Sequence, residues 1–267
     1  MKLHTVFPDL ETIRELSAGG LYRTAPVSTE ILSDVKTPIE VLKILKNISG
    51  HCYLLESVSE SGGWGRYTFL GYDPSMEITC LDGKMKAGSL SFETRDPGSH
   101  IRQIIEENKS PRFLNLPPFT GGLVGYFSYD YLKCSEPSLH LDASDTEGFQ
   151  DVDLMLFDKV IAFDHFRQKI ILIVNIKLDS WKTEYNRALL ELQHMADLIQ
   201  YGSPCAEPSG RCTTKFTPLF QQEEYCAMVE KAKYHIREGD IFQIVLSNRW
   251  KPGLREACLA PTVFCEP

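Results

Sequence analysis

The chain lacks any apolar segment long enough to cross a bilayer. Its most apolar run, residues 170–174, is far shorter than the about 20 residues that a spanning helix needs. The N-terminus has no apolar signal core either, because Asp9, Glu11 and Glu15 interrupt the stretch where one would lie. We therefore expect a cytoplasmic protein without a membrane partner.

Motifs for metal binding and for nucleophilic catalysis are also missing. The eight cysteines are scattered and form no C-x-x-C pair, which zinc ribbons and redox sites need. Reduced, partly buried thiols are the expected state. The seven histidines include no H-E-x-x-H motif, and there is no G-x-S-x-G segment. These motifs therefore give no candidate metal ligand and no candidate nucleophile in the sequence.

The chain also has fewer basic than acidic residues. The 28 lysines and arginines are outnumbered by 36 acidic residues, which gives a formal net charge of -8. This balance argues against broad binding to nucleic acid or to an anionic membrane. With 43% hydrophobic and 24% charged residues, the 267-residue chain has the composition of an ordinary globular protein. Its length suits one large domain, or one domain plus part of another.

Apolar periodicity predicts both helices and strands. Spacings near 3.6 residues predict helices over 9–16, from 38 onward, over 99–108, 181–200 and 221–238. Ser99 is the expected cap of the third helix, with Ile105 among its inward residues. Strands are expected at 51–57, 66–72, 76–81, 84–87, 154–163, 169–176 and 241–250. Asp82-Gly83 should form the tight turn of a hairpin, because this pair tolerates positive φ.

Composition divides the chain near residue 200. Residues 1–200 hold most of the predicted elements, and 201–215 are rich in Gly, Pro, Ser and Thr, which is typical of a linker. A helix and a strand follow within 216–250. One helix and one strand cannot bury their own apolar groups, so we expect an incomplete second domain. Residues 251–267 show no clear period and are treated as an off-pattern tail.

The glycine-rich segment 121–125 and Arg66 can each be interpreted as structural or as functional. Gly121-Gly122-x-x-Gly125 lacks the spacing and the lysine of a phosphate-binding loop, and its flanks suit a strand. We expect these glycines to allow close backbone packing or a bulge. Arg66 could hold a ligand carboxylate or form an internal ion pair, and the ion pair is the preferred interpretation.

Four motifs in a fixed order carry a family resemblance. They are LLES at 54–57, GRYTFLG at 65–71, GGLVGYFSYD at 121–130 and GDIFQIVLSNR at 239–249. Together they resemble the large subunit of anthranilate synthase, component I, within the chorismate-utilising enzymes. The resemblance runs from about residue 21 to 250. It implies an α+β fold: an antiparallel, sandwich-like N-terminal domain with packed helices, followed by an incomplete fragment of the chorismate-binding catalytic domain.

The resemblance implies an activity that this chain would carry only in part. The intact family makes anthranilate and pyruvate from chorismate and ammonia for tryptophan synthesis, with a glutamine amidotransferase subunit as partner and magnesium as cofactor. We expect a truncated component I that is inactive alone and binds no magnesium. The alternative in the same class is a para-aminobenzoate synthase component I fragment. In another class, the chain would be a non-catalytic module that binds tryptophan or the amidotransferase.

The LLES motif also implies a regulatory site. In the family this strand contacts tryptophan as feedback inhibitor, and the match places Ser57, Leu55 and Glu56 at that site. The residues alone favour an ordinary strand end, with Ser57 capping a turn. Because the family pocket also uses the catalytic domain, weak or no tryptophan binding is expected for this chain.

Overall fold

The computed structural model describes residues 5–34, 36–58, 64–136, 138–139, 148–206, 211–212, 215–251 and 254–255. They fall into two compact units, Met1–Cys205 and Ala206–Pro267. Most of the predicted tail, namely 252–253 and 256–267, lies outside the described residues, as do 207–210 and 213–214 of the predicted linker. The predicted domain limits stay a prediction.

The first unit contains both strands and helices, with a 3-10 turn at Tyr129–Tyr131. In chain order they are β1 Val6–Phe7, α1 Leu10–Gly19, β2 Thr24–Leu32, α2 Pro38–Leu45, β3 Cys52–Val58, β4 Trp64–Tyr72, β5 Met76–Leu81, β6 Lys84–Ala87, β7 Leu90–Glu93, α3 Pro97–Glu107, β8 Gly122–Phe127, α4 Leu132–Ser135, β9 Val152–Phe157, β10 Lys159–Asp164, β11 Lys169–Lys177 and α5 Trp181–Tyr201.

Two antiparallel sheets organise this unit. A six-stranded sheet has the order β1-β2-β11-β10-β4-β3, and a five-stranded sheet has the order β7-β6-β5-β9-β8. Helices α2 and α5 pack on the six-stranded sheet and against each other, α1 packs against α5, and α3 covers the five-stranded sheet through Ile101 and Ile104. The mixture of helices with purely antiparallel sheets confirms the predicted α+β class.

Local sequence signals explain where the helices begin. The Asp9 carboxylate accepts a hydrogen bond from the backbone of Thr12 and begins α1, and Gly20, with φ of 64°, ends it. Thr37 and Glu40 form a capping box at the start of α2. The cap predicted for α3 was wrong: Asp96, not Ser99, occupies the N-cap position.

The inward residues of α3 were also predicted incorrectly in part. The helix spans Pro97–Glu107, and proline at its first position suits the fixed φ of that site. Ile105 is 52% exposed, because the helix turns it away from Ile101 and Ile104. An apolar residue on the outer face of a surface helix is common and adds no core contact.

The prediction of one continuous strand over 154–163 was wrong. The run consists of two strands in different sheets, β9 in the five-stranded sheet and β10 in the six-stranded sheet, with Asp158 between them. The Asp158 carbonyl accepts hydrogen bonds from the backbone N–H and the side-chain amide of Asn175, which fixes the crossing point. β10 is buried along most of its length and β9 is at least partly buried throughout, so their apolar run shows no break where the sheets change.

The second unit holds one long helix and short strand pairs. Its elements are β12 Arg211–Cys212, β13 Thr217–Pro218, α6 Gln222–Glu238, β14 Trp250–Lys251 and β15 Leu254–Arg255, with β12 paired to β15 and β13 to β14. The predicted strand over 241–250 is wrong, since regular strand begins only at Trp250. Residues 241–249 form no ladder with a described strand, although the Arg249 carbonyl accepts a hydrogen bond from the Leu219 N–H at 2.8 Å. An alternating sequence cannot form a strand without such a ladder.

Candidate functional site

The LLES segment lies in β3, an outer strand of the six-stranded sheet. β3 pairs with β4, which places Leu55 opposite Phe69 and Glu56 opposite Thr68. Successive strand residues point to opposite faces, so the Leu55 and Glu56 side chains leave the strand on different sides. The register shifts between Glu56 and Val58, and this irregularity contains Ser57. Such bulges commonly occur at sheet edges and next to binding sites.

An aromatic surface covers the face of the sheet that Leu55 shares. We call it the aromatic shelf and define it by Tyr53, Leu55, Tyr67, Phe69 and Phe119. The Tyr67 and Phe69 rings are stacked with centroids 5.7 Å apart, and Phe69 meets Phe119 edge-on at 5.6 Å. Leu55 is 45% exposed, so the shelf reaches the protein surface. Its chemistry suits a flat apolar ring.

Tyr53 anchors the inner end of the shelf. Its ring lies 4.7 Å from that of Phe157 and 6.4 Å from that of Phe119, both in edge-on geometry. A Cβ added at Gly71 would lie 2.2 Å from the Tyr53 ring, so the opposite position accepts only glycine. The Tyr53 hydroxyl is buried without a hydrogen-bond partner among the described residues, and burial raises its pKa above the ordinary tyrosine value.

An ion pair fixes the strand that carries the shelf. Arg66 Nε and Nη2 donate to the two carboxylate oxygens of Asp164 at 3.2 and 2.8 Å, which confirms the predicted internal ion pair. Asp164 also accepts from the backbone N–H groups of Phe166 and Arg167. The Arg66 guanidinium lies 4.8 Å from the centroid of the Tyr67 ring. Arg66 therefore holds β4 to β10.

The glycine-rich motif serves backbone packing, as predicted. Gly125 lies in β8, and a Cβ at this position would be 2.0 Å from the carbonyl oxygen of Asp153 on β9. Gly121 has φ of 143° and lies against Asn175, whose side-chain amide donates to the carbonyl of Thr120 at 2.6 Å. These contacts position the segment that brings Phe119 over the shelf.

The described ranges offer few other features that could form a metal or thiol site. They contain no group of three or more His, Cys, Asp and Glu side chains that could hold a metal ion. Magnesium, which the family resemblance implies, therefore has no fitting ligand set in this part of the chain. Cys52, Cys80, Cys134, Cys205 and Cys226 are free thiols, and no described helix has the length and apolarity of a membrane span.

Several shelf residues were not singled out from the sequence. Tyr67 and Phe69 alternate in β4, as Tyr53 and Leu55 do in β3, and this period of two could have identified one face. Phe119 lies in an irregular segment between α3 and β8, where no periodicity applies. Its place over β3 and β4 depends on tertiary contacts.

Comparison with known proteins agrees with this geometry. The family model for chorismate binding enzyme matches residues 50–260. Anthranilate synthase component 1 of Acetivibrio thermocellus is 32% identical over 261 residues, covering 91% of this chain and 51% of the relative. The chloroplastic anthranilate synthase alpha subunit 1 of Arabidopsis thaliana is 32% identical over 255 residues, covering 85% and 43%.

A solved structure shows the same arrangement. The crystal structure of anthranilate synthase component I from Streptococcus pneumoniae aligns with a TM-score of 0.57 and 26% identity, covering 86% of this chain and 50% of that one. The chain thus spans about half the length of the relatives it matches. With the family model matching most of its length, the chain belongs to the chorismate-binding enzyme family.

Proposed function

We propose that the chain is the first part of an anthranilate synthase component I. The complete protein would convert chorismate and ammonia into anthranilate and pyruvate in the cytoplasm, with ammonia released from glutamine by an amidotransferase partner. The observation that carries this proposal is the 32% identity to a curated anthranilate synthase component 1 over 91% of the chain. The relatives' names favour anthranilate over para-aminobenzoate as the product.

The proposal includes tryptophan as a ligand at the β3 edge, contacted by Leu55, Glu56 and Ser57. The aromatic shelf offers an apolar surface to the indole, with Leu55 exposed at its rim. β3 pairs on one side only among the described strands. A ligand along that edge can therefore reach both sheet faces, including the Glu56 carboxylate, which could accept from an ammonium group.

Catalysis belongs, in this proposal, to residues beyond those described. Elimination of pyruvate needs acid-base groups, and a magnesium ion would hold the substrate carboxylate in the complete protein. The described residues provide no metal site. The 267-residue chain alone should therefore form no anthranilate from chorismate, ammonium and magnesium.

A chimera tests the proposed activity directly. Residues 1–250 of this chain would be joined to the corresponding second half of the Acetivibrio thermocellus relative. We expect anthranilate, detected by its fluorescence, from chorismate, ammonium and magnesium, whereas each half alone gives none. A folded chimera that forms an aminated chorismate without releasing pyruvate would contradict the anthranilate assignment and favour the para-aminobenzoate branch.

The same chimera tests the tryptophan site. Leu55→Ala should raise the tryptophan concentration for half-inhibition by roughly tenfold, because it removes an apolar contact worth about 1.4 kcal/mol. Leu90→Ala is the matched control, since Leu90 is 66% exposed on β7 in the other sheet. Equal inhibition of both variants would exclude Leu55 from the site.

A further inference from the structure

The six-stranded sheet carries a separate recess at its opposite edge. A cavity of about 670 Å³ lies over β1, β2 and β11, and the segment after α3 also lines it. The aromatic shelf belongs to β3 and β4, at the other end of the strand order. Residues that line the cavity and carry its chemistry are Phe7, Glu30, Leu116, Lys169 and Ile171. Its volume lies in the range of small-molecule sites.

The apolar part of the cavity is held in place by core contacts. Ile171 is only 2% exposed, and Leu116 packs against the same buried cluster. The Phe7 ring meets Phe113 edge-on, with centroids 5.0 Å apart and an interplanar angle of 82°. These walls are therefore preformed.

Glu30 and Lys169 are the charged residues that line the polar part of the cavity, and Arg167, which is not among the lining residues, bonds Glu30 from beside it. One carboxylate, that of Glu30, contacts Lys169 Nζ and, at 3.4 Å, Arg167 Nη1. A lysine ammonium has three N–H donors and a guanidinium has five, and Glu30 takes one from each. The group thus keeps one net positive charge and further donors beside an apolar wall.

We propose that this cavity binds a small organic acid with one carboxylate and an apolar, ring-sized body. The carboxylate lies at Lys169, and the apolar body lies against Phe7, Leu116 and Ile171. The Glu30 carboxylate competes with the ligand for the Lys169 ammonium and so limits affinity. This site is independent of the tryptophan contact proposed at the aromatic shelf.

The test uses the 267-residue chain and 3-phenylpropionate as probe, titrated by heteronuclear NMR. Amide shifts should concentrate in β2, β11 and the segment around Leu116. Lys169→Met should weaken binding by about fivefold to tenfold, the scale of one charge contact in a partly exposed site. Glu30→Gln should strengthen it by about twofold to fivefold, because the competing carboxylate is gone. Lys86→Met, an equal loss of charge at an exposed lysine of the other sheet, should leave the affinity unchanged.

The opposite signs of the two cavity variants separate binding from damage to the fold, since misfolding would weaken both. The alcohol 3-phenylpropanol supplies the same ring without the charge and should bind at least about fivefold more weakly. Equal binding of the acid and the alcohol would overturn the proposal. So would a lack of binding by wild type, an unchanged affinity in Lys169→Met, or shifts that concentrate in β3 instead.

Discussion

Two aspartates mark the ends of β10, and burial acts on both with opposite outcomes. Burial raises the pKa of Asp158, whose Oδ1 has no hydrogen-bond partner among the described residues, and the charges of Lys159 and Arg187 only partly offset it. Burial also acts to raise the pKa of Asp164. There the hydrogen bonds from Arg66 and from two backbone N–H groups outweigh it and hold the pKa below the ordinary aspartate value.

The difference shows that donors, more than depth, decide the state of a buried carboxylate. At the Asp164 end, a turn returns the chain directly to β11 and aims its backbone N–H groups at the carboxylate. At the Asp158 end, the chain crosses between sheets and the backbone carbonyl, not the carboxylate, receives the hydrogen bonds of Asn175.

The largest expected change in stability follows from removing the Asp164 carboxylate, which accepts several hydrogen bonds. Asp164→Ala should lower the free energy of unfolding at pH 7 by about 2–4 kcal/mol. The reason is that Arg66 and two backbone N–H groups would lose their hydrogen-bond acceptor. Urea denaturation followed by circular dichroism measures the change. Asp34→Ala removes an exposed aspartate and should change stability by less than about 0.5 kcal/mol. Similar losses in both variants would contradict the comparison.

A smaller loss is expected at the sheet crossing. Asn175→Ala removes side-chain hydrogen bonds to Thr120 and Asp158 and should cost about 1–2 kcal/mol in the same assay. Asn47→Ala is a matched control, since it removes one exposed amide hydrogen bond to the Ser203 carbonyl. A control loss as large as that of Asn175→Ala would show that the crossing has no special role.

A gain, smaller than either loss, is expected at Asp158. Asp158→Asn keeps the shape of the side chain and removes a charge that burial disfavours, so the urea midpoint at pH 7 should rise. Asp34→Asn, at an exposed position, should leave the midpoint unchanged. A fall in the midpoint of Asp158→Asn would contradict a burial penalty on the Asp158 charge.

The smallest expected effect is the way in which the stability contribution of each aspartate changes with pH. The pKa of Asp164 is lowered on folding, so its stabilising contribution is present above the unfolded value of about 3.9 and is lost as pH falls through the folded pKa. The gap between wild type and Asp164→Asn should therefore narrow below about pH 4. A gap that stays constant down to pH 2.5 would contradict a lowered pKa.

Asp158 should behave with the opposite sign. Its folded pKa is raised, so the penalty for its charge is full above that pKa and disappears as pH falls towards the unfolded value. The advantage of Asp158→Asn should shrink on acidification from pH 7, and unfolding curves at successive pH values measure this. An advantage that grows in acid would refute the assignment.

Sequence reasoning worked best where the signal is local. The helix predicted over 9–16 and the hairpin turn at Asp82-Gly83 both appear in the structure. Caps and tight turns depend on groups within a few residues of one another, so neighbouring letters carry the necessary information. Even here the α3 cap was misassigned, because Asp96 and Ser99 are both good capping residues.

Reasoning failed where a distant partner decides the outcome. The alternation of Phe242, Ile244 and Leu246 resembles that of a strand, yet this segment forms no ladder with a described strand. The unbroken apolar run through Asp158 likewise concealed a change of sheet. At the candidate site, the LLES motif directed attention to β3 but gave no indication of Phe119. The position of Phe119 depends on the contact that Asn175 makes with Thr120.

The sequence by itself determined the α+β class, the order of most elements and the family, because periodicity, caps and ordered motifs are properties of neighbouring residues. Only the tertiary structure decided which sheet receives each strand, which faces Leu55 and Glu56 take, and where the cavity beside Lys169 lies. These depend on pairing between residues distant along the chain, and one sequence does not specify which hydrogen-bonded partner each strand finds.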